Sequence, residues 1–382
     1  MEYKLKELFD LQMGKTPSRN NSDYWNTKDN KWISIADLSK CEKYITDTKE
    51  YISDIAIKES GINPIPANTV VMSFKLSIGK TAITKEVIYS NEAIMSFRDK
   101  KTIELLPDYT YYLMMSKRWD EGTNKAVMGK TLNKATLSEI KVSVHDIAEQ
   151  QRIVNVLDKL TALIDKRKKQ LEKLDELVKS RFVEMFGDPK ENPKGYSKRQ
   201  LKQTCKVITG NTPSRAVCEY YGEHIEWIKT DNIVSGLINP TTATEFLSEK
   251  GMAVGRTIEK DSILMACIAG SLSSIGRVCV TDRKVAFNQQ INAIVPNDYN
   301  ILFLYVLLQI SKEYLIEEIN MALKGILSKS KLEEKVFIVP PMELQEEFAA
   351  FVKQTDKSKF EIKQSLEKLE LLKKALMQKY FG

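Results

Sequence analysis

GKTPSR at residues 14–19 returns as GNTPSR at residues 210–215, an offset of 196 residues. Further pairs of identical residues follow along the chain at offsets between 195 and 197. They are Trp32 and Trp227, Ile78 and Ile275, Gly79 and Gly276, Asn91 and Asn288, Ile94 and Ile291, Leu137 and Leu332, Gln150 and Gln345, and Phe186 and Phe381. One register that holds across a whole unit indicates an internal duplication.

The duplication divides the chain into two globular domains, each followed by a long helix. We predict the first domain over residues 1–145 and the first long helix over residues 146–187. Two prolines and a glycine within residues 188–195 end that helix and form a linker, because proline cannot continue a helix. The second domain is predicted over residues 196–341, and the second long helix over residues 342–382.

Short apolar runs between turn residues predict a mixed α/β (α+β) fold for both domains. The predicted strands are residues 31–35, 69–74 and 94–97 in the first domain and residues 225–229, 262–267 and 291–295 in the second. Helical stretches are predicted near residues 109–115 and 301–319. Because the duplicated positions include core and turn residues, we expect two similar folds related by a pseudo-twofold repeat.

The first long helix carries a heptad pattern typical of a coiled-coil seam. Its seam residues are Leu157, Ile164, Leu171, Val178 and Met185, with Ile153, Leu160 and Leu174 at the alternate position. The second long helix matches less strictly, through Phe348, Val352, Ile362, Leu366, Leu369, Leu372, Leu376 and Tyr380. A helix with one apolar stripe is not stable alone, so each long helix needs a partner.

The obvious partner of each long helix is the other one. At about 1.5 Å per residue, such a pair would form a rod of roughly 60 Å that holds the two domains apart. Packing of each helix on its own domain is the alternative. Lys359 and Lys373 stand where the first helix has Ile164 and Val178, so either the pairing is looser there or that face meets another protein.

The composition is ordinary for a globular protein, with 382 residues of which 42% are hydrophobic and 29% are charged. The net charge of +7 suits a polyanionic partner, although only weakly. The first residues are charged, and the longest apolar run, residues 301–310, is too short to span a bilayer. The five cysteines form no CxxC pair, which favours a reduced, cytoplasmic setting.

The sequence lacks the motifs of common enzymes. GKT occurs at Gly14, Gly79 and Gly129, but none of these has the earlier glycine that a Walker A loop requires. Two histidines, His145 and His224, are too few for a histidine-rich metal site. No dinucleotide-binding glycine motif, no Asn-Pro-Pro-aromatic tetrapeptide and no nuclease cluster is present. We therefore expect a recognition protein that is not itself an enzyme.

The repeated TPSR tetrapeptide supports two interpretations. Thr-Pro-Ser is turn chemistry, so the motif can be scaffold that both copies need for folding. Its serine and arginine can instead bind a phosphate, and polar or basic residues near the glycine turns can contact DNA. The candidate DNA-binding residues are Lys15, Ser18, Arg19, Lys75, Ser77, Lys80, Asn211, Ser214, Arg215, Ser271, Ser273, Arg277, Gln289 and Gln290.

The two copies differ strongly between these shared landmarks. NSDYWNTKDN at residues 21–30 contrasts with AVCEYYGEHI at residues 216–225, and KLSIGK at residues 75–80 contrasts with AGSLSSIGR at residues 269–277. A duplicated scaffold with divergent loops suggests two related surfaces that recognise different targets. Neutral drift, which also concentrates in loops, would give the same pattern.

The order of domain, helix, domain and helix, with G-x-TPSR near each domain start, resembles the DNA-specificity subunit of type I restriction–modification systems. Each helix also opens with a glutamine-rich turn and closes with Phe-Gly. The resemblance covers essentially the whole chain. It implies that each domain is a target-recognition domain for one half of a split DNA site, and that the helices form an antiparallel coiled coil that acts as a ruler.

The resemblance also implies partners. Two adenine methyltransferase subunits would dock on this chain, and motor–nuclease (restriction) subunits would join them to cut unmodified double-stranded DNA. S-adenosylmethionine, ATP and Mg would bind those subunits and not this chain. The residues at the helix–helix or partner interface would be Leu157, Leu160, Ile164, Leu171, Leu174, Val178, Ile362, Leu366, Leu369 and Leu376.

Two further hypotheses remain at the level of the sequence. A specificity subunit of a related system with fused nuclease and methyltransferase would have the same architecture. A coiled-coil adaptor that binds no DNA would also explain the helices. For a DNA-reading subunit, the divergent loops predict two different half-sites and thus an asymmetric site. The rod of roughly 60 Å exceeds one turn of B-DNA at about 34–36 Å, which predicts an unread gap between the half-sites.

Overall fold

A computed structural model describes residues 1–75, 77–117, 119, 132–317, 319 and 325–382 of the chain. Gly129 of the third GKT sequence lies outside these residues. The described chain forms two compact units. The first comprises Met1–Lys166 with Leu366–Gly382, and the second comprises Arg167–Ser365.

The first unit is built from short strands and helices, followed by the first half of a long helix. The strands are β1 (Glu2–Lys4), β2 (Phe9–Met13), β3 (Asn30–Ile33), β4 (Tyr44–Ile45), β5 (Glu50–Ile52), β6 (Val70–Ser73), β7 (Thr81–Thr84), β8 (Tyr89–Ser90), β9 (Ile94–Asp99) and β10 (Lys141–Ser143). The helices are α1 (Leu5–Leu8), α2 (Ile35–Leu38), α3 (Asp54–Ser60), α4 (Pro107–Ser116), α5 (Lys134–Ser138) and α6 (Ile147–Phe186).

The second unit has a similar order of elements. Its strands are β11 (Ser197–Gln200), β12 (Cys205–Thr209), β13 (Tyr221–Ile228), β14 (Phe246–Leu247), β15 (Thr257–Ile258), β16 (Ile263–Ala266), β17 (Val278–Val280), β18 (Val285–Phe287), β19 (Ile291–Pro296) and β20 (Val336–Val339). Its helices are α7 (Leu201–Thr204), α8 (Glu249–Val254), α9 (Ile301–Ile310), α10 (Lys312–Ile316), α11 (Lys329–Glu334) and α12 (Met342–Phe381). No helix among the described residues combines the length and apolar character needed to cross a membrane.

Equivalent strands pair in the same way in the two units. The first unit has sheets with the strand orders β2-β9-β6-β7-β4 and β5-β3-β8, and the second has β12-β19-β16-β17 and β14-β13-β18-β15. The parallel pair β3–β8 matches the parallel pair β13–β18. The central strands β6 and β16 are buried along their whole length, as expected for strands covered on both faces. These pairings confirm the predicted mixed α/β fold and its internal repeat.

The predicted strands all have observed counterparts, namely β3, β6, β9, β13, β16 and β19. The prediction was wrong at Ile35, which begins α2 instead of ending a strand, because Ser34 and Asp37 form a capping box. The Ser34 backbone N–H donates to the Asp37 carboxylate at 2.9 Å. The helical stretch predicted over residues 301–319 divides at Ser311 into α9 and α10, and residue 318 lies outside the described chain.

Within each unit, α6 and α12 run antiparallel. In the second unit Arg181 of α6 pairs with Glu347 of α12 at 3.0 Å. Asp175, six residues earlier on α6, pairs with Lys359, twelve residues later on α12. In the first unit the guanidinium of Arg152 lies 5.8 Å from the ring of Tyr380. This confirms the predicted antiparallel coiled coil.

The predicted seam follows the less exposed stripe of both helices. The buried seam residues are Leu157, Leu160, Ile164 and Val178. The half-buried ones are Leu171, Leu174, Ile362, Leu366, Leu369 and Leu376. Leu372 was wrongly assigned to the seam, because its side chain is 49% exposed.

The outer parts of both helices also pack on the domains. Leu157 lies in the hydrophobic core of the first domain, and Val178 lies in the core of the second. Packing on the domains had been the alternative to helix pairing, and the helices do both. Lys359, whose side chain is only 14% exposed, is held in the seam by its ion pair with Asp175.

The closing phenylalanine of each long helix is buried. The ring centroid of Phe186 lies 4.9 Å from that of Phe303 and 5.6 Å from that of Phe348. The ring centroid of Phe381 lies 5.3 Å from that of Tyr109. Aromatic side chains contribute large apolar areas to a core. Each domain is therefore completed by the end of the long helix that follows the other domain in sequence.

The repeated glutamine near the start of each long helix joins that helix to its own domain. Gln150 accepts a hydrogen bond from the Leu106 backbone N–H at 3.0 Å and donates to the Glu104 carbonyl at 3.0 Å. Gln345 accepts from the Asn300 backbone N–H at 2.9 Å and donates to a carbonyl of the preceding loop. Both glutamines are 1% exposed, so these bonds satisfy buried backbone groups.

We expect Gln345→Leu to lower the free energy of unfolding of the second unit by about 1–3 kcal/mol, because it leaves a buried backbone N–H without a partner. The measurement is urea unfolding followed by circular dichroism. Gln354→Leu, an exposed position on the same helix, is the control and should change stability by about 0.5 kcal/mol or less. Equal stability of the two variants would contradict this role.

Candidate nucleic-acid interface

Three loops meet on one side of the first domain. We call residues 14–19, 74–80 and 91–93 the first loop face, of which residue 76 is outside the described chain. The Gly14 backbone N–H donates to the Ile94 carbonyl at 3.1 Å, and the Phe74 backbone N–H donates to the Ala93 carbonyl at 3.0 Å. The structure thus brings together loops whose candidate residues are up to 65 positions apart, from Lys15 to Lys80.

The second domain has the equivalent arrangement. We call residues 210–215, 267–277 and 288–290 the second loop face. The Gly210 backbone N–H donates to the Ile291 carbonyl at 3.0 Å, and the Cys267 backbone N–H donates to the Gln290 carbonyl at 2.8 Å. The two loop faces therefore have the same backbone connections.

The repeated glycine of G-x-TPSR is required by a close backbone contact. A Cβ atom at Gly14 would lie 2.2 Å from the Ser90 carbonyl oxygen, and one at Gly210 would lie 2.1 Å from the Asn288 carbonyl oxygen. No side chain fits at such distances. The motif glycine thus allows the first loop to lie against the turn that carries the repeated asparagine.

The repeated arginine is bound within its own domain. Arg19 donates to both carboxylate oxygens of Glu50, at 3.1 Å for the longer bond. Its guanidinium carbon lies 3.7 Å from the ring centroid of Trp25 and 4.9 Å from that of Trp32. A charge pair combined with cation–π contacts fixes the direction of the side chain.

Arg215 is held in the same way in the second domain. It donates to Glu245 at 2.6 Å, and its guanidinium carbon lies 4.5 Å from the ring centroid of Tyr221 and 5.1 Å from that of Trp227. These contacts of Arg19 and Arg215 favour the interpretation of TPSR as scaffold. Phosphate binding by these arginines stays a prediction. Sequence reasoning missed the partner Glu245, although it stands 195 residues after Glu50, in the register of the repeat.

The candidate residues at the second position of G-x-TPSR, Lys15 and Asn211, also have structural roles. The Lys15 ammonium donates to the Ser60 carbonyl at the end of α3. Asn211 donates to the Val254 carbonyl at the end of α8, at 2.9 Å. Ser18 and Ser214 are exposed on their loops. Different side chains at equivalent positions therefore secure equivalent helix ends.

The central loop of the first face is basic. Lys75 is half-buried with its ammonium 5.4 Å from the Phe74 ring centroid, whereas Ser77 and Lys80 are exposed. The buried Ser73 holds this loop, because its hydroxyl donates to the Ser77 carbonyl and accepts from the Lys80 backbone N–H. The loop thus presents lysines on a fixed backbone.

The central loop of the second face is rich in serine and is braced by two cations. The hydroxyl groups of Ser271 and Ser273 lie 3.0 Å apart. Arg277 donates to the Ser274 carbonyl at 3.2 Å, and Lys312 donates to the Ser273 carbonyl at 2.5 Å. Burial lowers the pKa of Lys312, and the nearby charge of Arg277 lowers it further. No sequence signal pointed to Lys312, which comes from a helix in the next part of the chain.

The third loop of each face is a turn after the repeated asparagine. The Asn91 side chain accepts from the Ala93 backbone N–H at 3.1 Å, and the Asn288 side chain accepts from the Gln290 backbone N–H at 3.1 Å. The side-chain amide oxygen of Gln290 also accepts from the Asn288 amide group, at 3.1 Å. Gln289, the residue between them, is exposed. Of the two amide candidates, the structure presents Gln289 outward and engages Gln290 within the turn.

Comparison with known proteins identifies the family of this fold. A model described as "Type I restriction modification DNA specificity domain" matches residues 1–176 and 193–373. The chain belongs to the type I restriction–modification DNA specificity family.

One relative of this specificity protein is the type I restriction enzyme MjaIX specificity subunit of Methanocaldococcus jannaschii, with 28% identity over 91% of this chain and 85% of the relative. The crystal structure of the type I restriction–modification S subunit from M. genitalium has a TM-score of 0.60 at 15% identity, covering 100% of this chain and 96% of that one. A chain from a study of complex assembly in a type I system has a TM-score of 0.62 at 15% identity, covering 99% and 96%.

Family membership confirms the predicted resemblance. It also confirms that the specificity protein is a recognition component and not an enzyme. At 15% identity, the structural neighbours support the fold. Assignment of individual DNA contacts stays a prediction for this chain.

We expect Gly210→Ala to lower the free energy of unfolding by about 1–3 kcal/mol, because its Cβ would overlap a carbonyl oxygen. Gly270→Ala, in the same loop face, is the control, because no described heavy atom lies within 4 Å of its Cβ position. Urea unfolding of both variants checks this difference. A stability loss in Gly270→Ala as large as that in Gly210→Ala would contradict the close-contact explanation.

Proposed function

We propose that this specificity subunit reads a bipartite, asymmetric site on double-stranded DNA, with one loop face for each half-site. The proposal depends on one observation, that the two loop faces share a backbone arrangement but differ in side chains. Their backbones are connected by equivalent hydrogen bonds, whereas their central loops are basic in one domain and serine-rich in the other. Equivalent scaffolds place different side chains at equivalent positions, so the two half-sites differ in sequence.

Affinity for the DNA backbone comes from cations on the same faces. Lys80 is exposed on the first face, and Arg277 is half-buried on the second. Cations near phosphates release counterions, which gives affinity without sequence information. The net charge of +7 acts in the same direction. Sequence information then comes from the polar side chains that differ between the two faces.

The chain acts in a complex whose chemistry belongs to other subunits. Two adenine methyltransferase subunits dock on the duplicated framework, because a duplication offers two equivalent docking surfaces. Restriction subunits join them. S-adenosylmethionine, ATP and Mg bind those partners, and the complex acts on DNA in the cytoplasm. The apolar residues exposed on α6 and α12 offer contact area for the methyltransferase subunits; they include Leu163, Leu177, Phe360 and Leu371.

Reconstitution tests this function. The chain alone should methylate no DNA, whereas the chain with an adenine methyltransferase subunit and S-adenosylmethionine should methylate adenine within a bipartite sequence. Incorporation of a labelled methyl group into plasmid DNA, followed by mapping, measures this. Methylation of the same site by the methyltransferase subunit without the chain would contradict the proposal. A complex that methylates without discriminating between sequences would favour a coiled-coil adaptor.

We further propose that α6 and α12 set the length of the gap between the half-sites. A heptad inserted after Lys168 in α6, with another after Glu361 in α12, keeps the seam in register. It adds about 10 Å, the length of about three base pairs, to the coil. Methylation mapping should show a longer gap between unchanged half-sites.

The matched control is the same heptad inserted after Glu191, outside both helices. It should leave the gap unchanged, because the second domain stays docked on Phe186. An unchanged gap in the double-insertion variant, or a half-site that changes with it, would contradict the ruler role.

A further inference from the structure

We infer that Glu92 and Gln289 are equivalent base-reading residues with opposite hydrogen-bonding character. Glu92 selects an amino base in the first half-site, and Gln289 selects a keto base at the equivalent position of the second half-site. This inference rests on the proposed function of the two loop faces. It assigns a specificity-determining residue to each face.

The two residues occupy equivalent positions. Each directly follows the repeated asparagine, whose side chain closes the turn, and the two stand 197 residues apart, as do the asparagines. Each side chain accepts a hydrogen bond from the threonine hydroxyl of the neighbouring TPSR motif. Thr16 donates to Glu92, and Thr212 donates to Gln289. The scaffold therefore holds both side chains from the same side.

The atoms that remain available differ in polarity. Thr16 donates to Oε2 of Glu92, and no other side chain in the described part of the chain donates to this carboxylate. An ionised carboxylate only accepts hydrogen bonds. Thr212 bonds Oε1 of Gln289, which leaves the Nε2 amide group with two N–H donors. The first face thus presents an acceptor where the second face presents a donor.

The charge state of Glu92 is consistent with this role. The hydrogen bond from Thr16 lowers the pKa of the Glu92 carboxyl, and the charges of Lys75 and Arg19 lower it further, against an opposing effect of burial. The carboxyl group is therefore ionised at neutral pH. Both Glu92 and Gln289 are exposed, so each can contact a base edge.

The major groove offers matching partners. Cytosine N4 and adenine N6 are amino donors, whereas guanine O6 and thymine O4 are keto acceptors. A carboxylate accepts from an amino group and repels a keto oxygen, while an amide N–H does the reverse. One residue in each domain is thus sufficient to make the half-sites unlike at this position.

Exchange of the two side chains tests the inference. Glu92→Gln and Gln289→Glu are nearly isosteric changes at exposed positions, so the fold should be retained. The gene in the source cells is replaced by each variant, and methylated sites are mapped across the genome. Glu86→Gln and Gln203→Glu, which lie outside the loop faces, make the same chemical changes and serve as matched controls.

Glu92→Gln should change one base position of one half-site from adenine or cytosine towards guanine or thymine, with a shift in preference of about tenfold. Gln289→Glu should make the opposite change in the other half-site, and the controls should retain the parental site. The parental site in both variants would overturn the inference while leaving the proposed function intact. Loss of all methylation in a variant with parental thermal stability would also overturn it, because affinity and not base choice would then be affected. Absence of site-specific methylation with the parental chain would instead refute the proposed function.

Discussion

The rest of the structure depends on the burial of Phe186 and Phe381 in the cores of the two domains. Each ring closes one long helix and enters the core of a domain, beside Phe303 in one unit and Tyr109 in the other. A single apolar stripe does not stabilise an isolated helix, so α6 and α12 need these ends as well as each other. Because each domain core is completed by both long helices, the coil and the domains stabilise one another. The buried Gln150 and Gln345 secure the opposite ends of the helices.

Contacts between the repeated residues also explain the structure of the loop faces. The landmarks that recur along the sequence contact each other in space: the motif glycine lies against the turn of the repeated asparagine, and the motif arginine lies over the repeated tryptophan. They persist in both copies because each fits the others. The residues that differ lie on the framework built by those landmarks. Specificity in such an arrangement can diverge without loss of the fold, because the divergent side chains are exposed and contribute little to the core.

Much of the fold could be predicted from the sequence, because periodicity and repetition report on burial. The heptads of α6 and the apolar runs of β6 and β16 are local patterns, and the duplication supports each of them twice. The failures have local causes. Ile35 continues an apolar run but follows a capping serine, and Leu372 is apolar but lies off the helical stripe. The loop faces were less predictable, since Lys312 and Glu92 join them through tertiary contacts between distant segments. Glu50 and Glu245 could have been found from the repeat register alone.

Two domains with the same fold but different loop residues recognise the two halves of a split DNA site. The most direct test is to map methylated bases across the genome of the source cells with and without this gene. The account predicts methylated adenines in a sequence with two different half-sites and a fixed unread gap, all of which disappear when the gene is removed. A continuous site, two identical half-sites, or methylation that persists without the gene would contradict it.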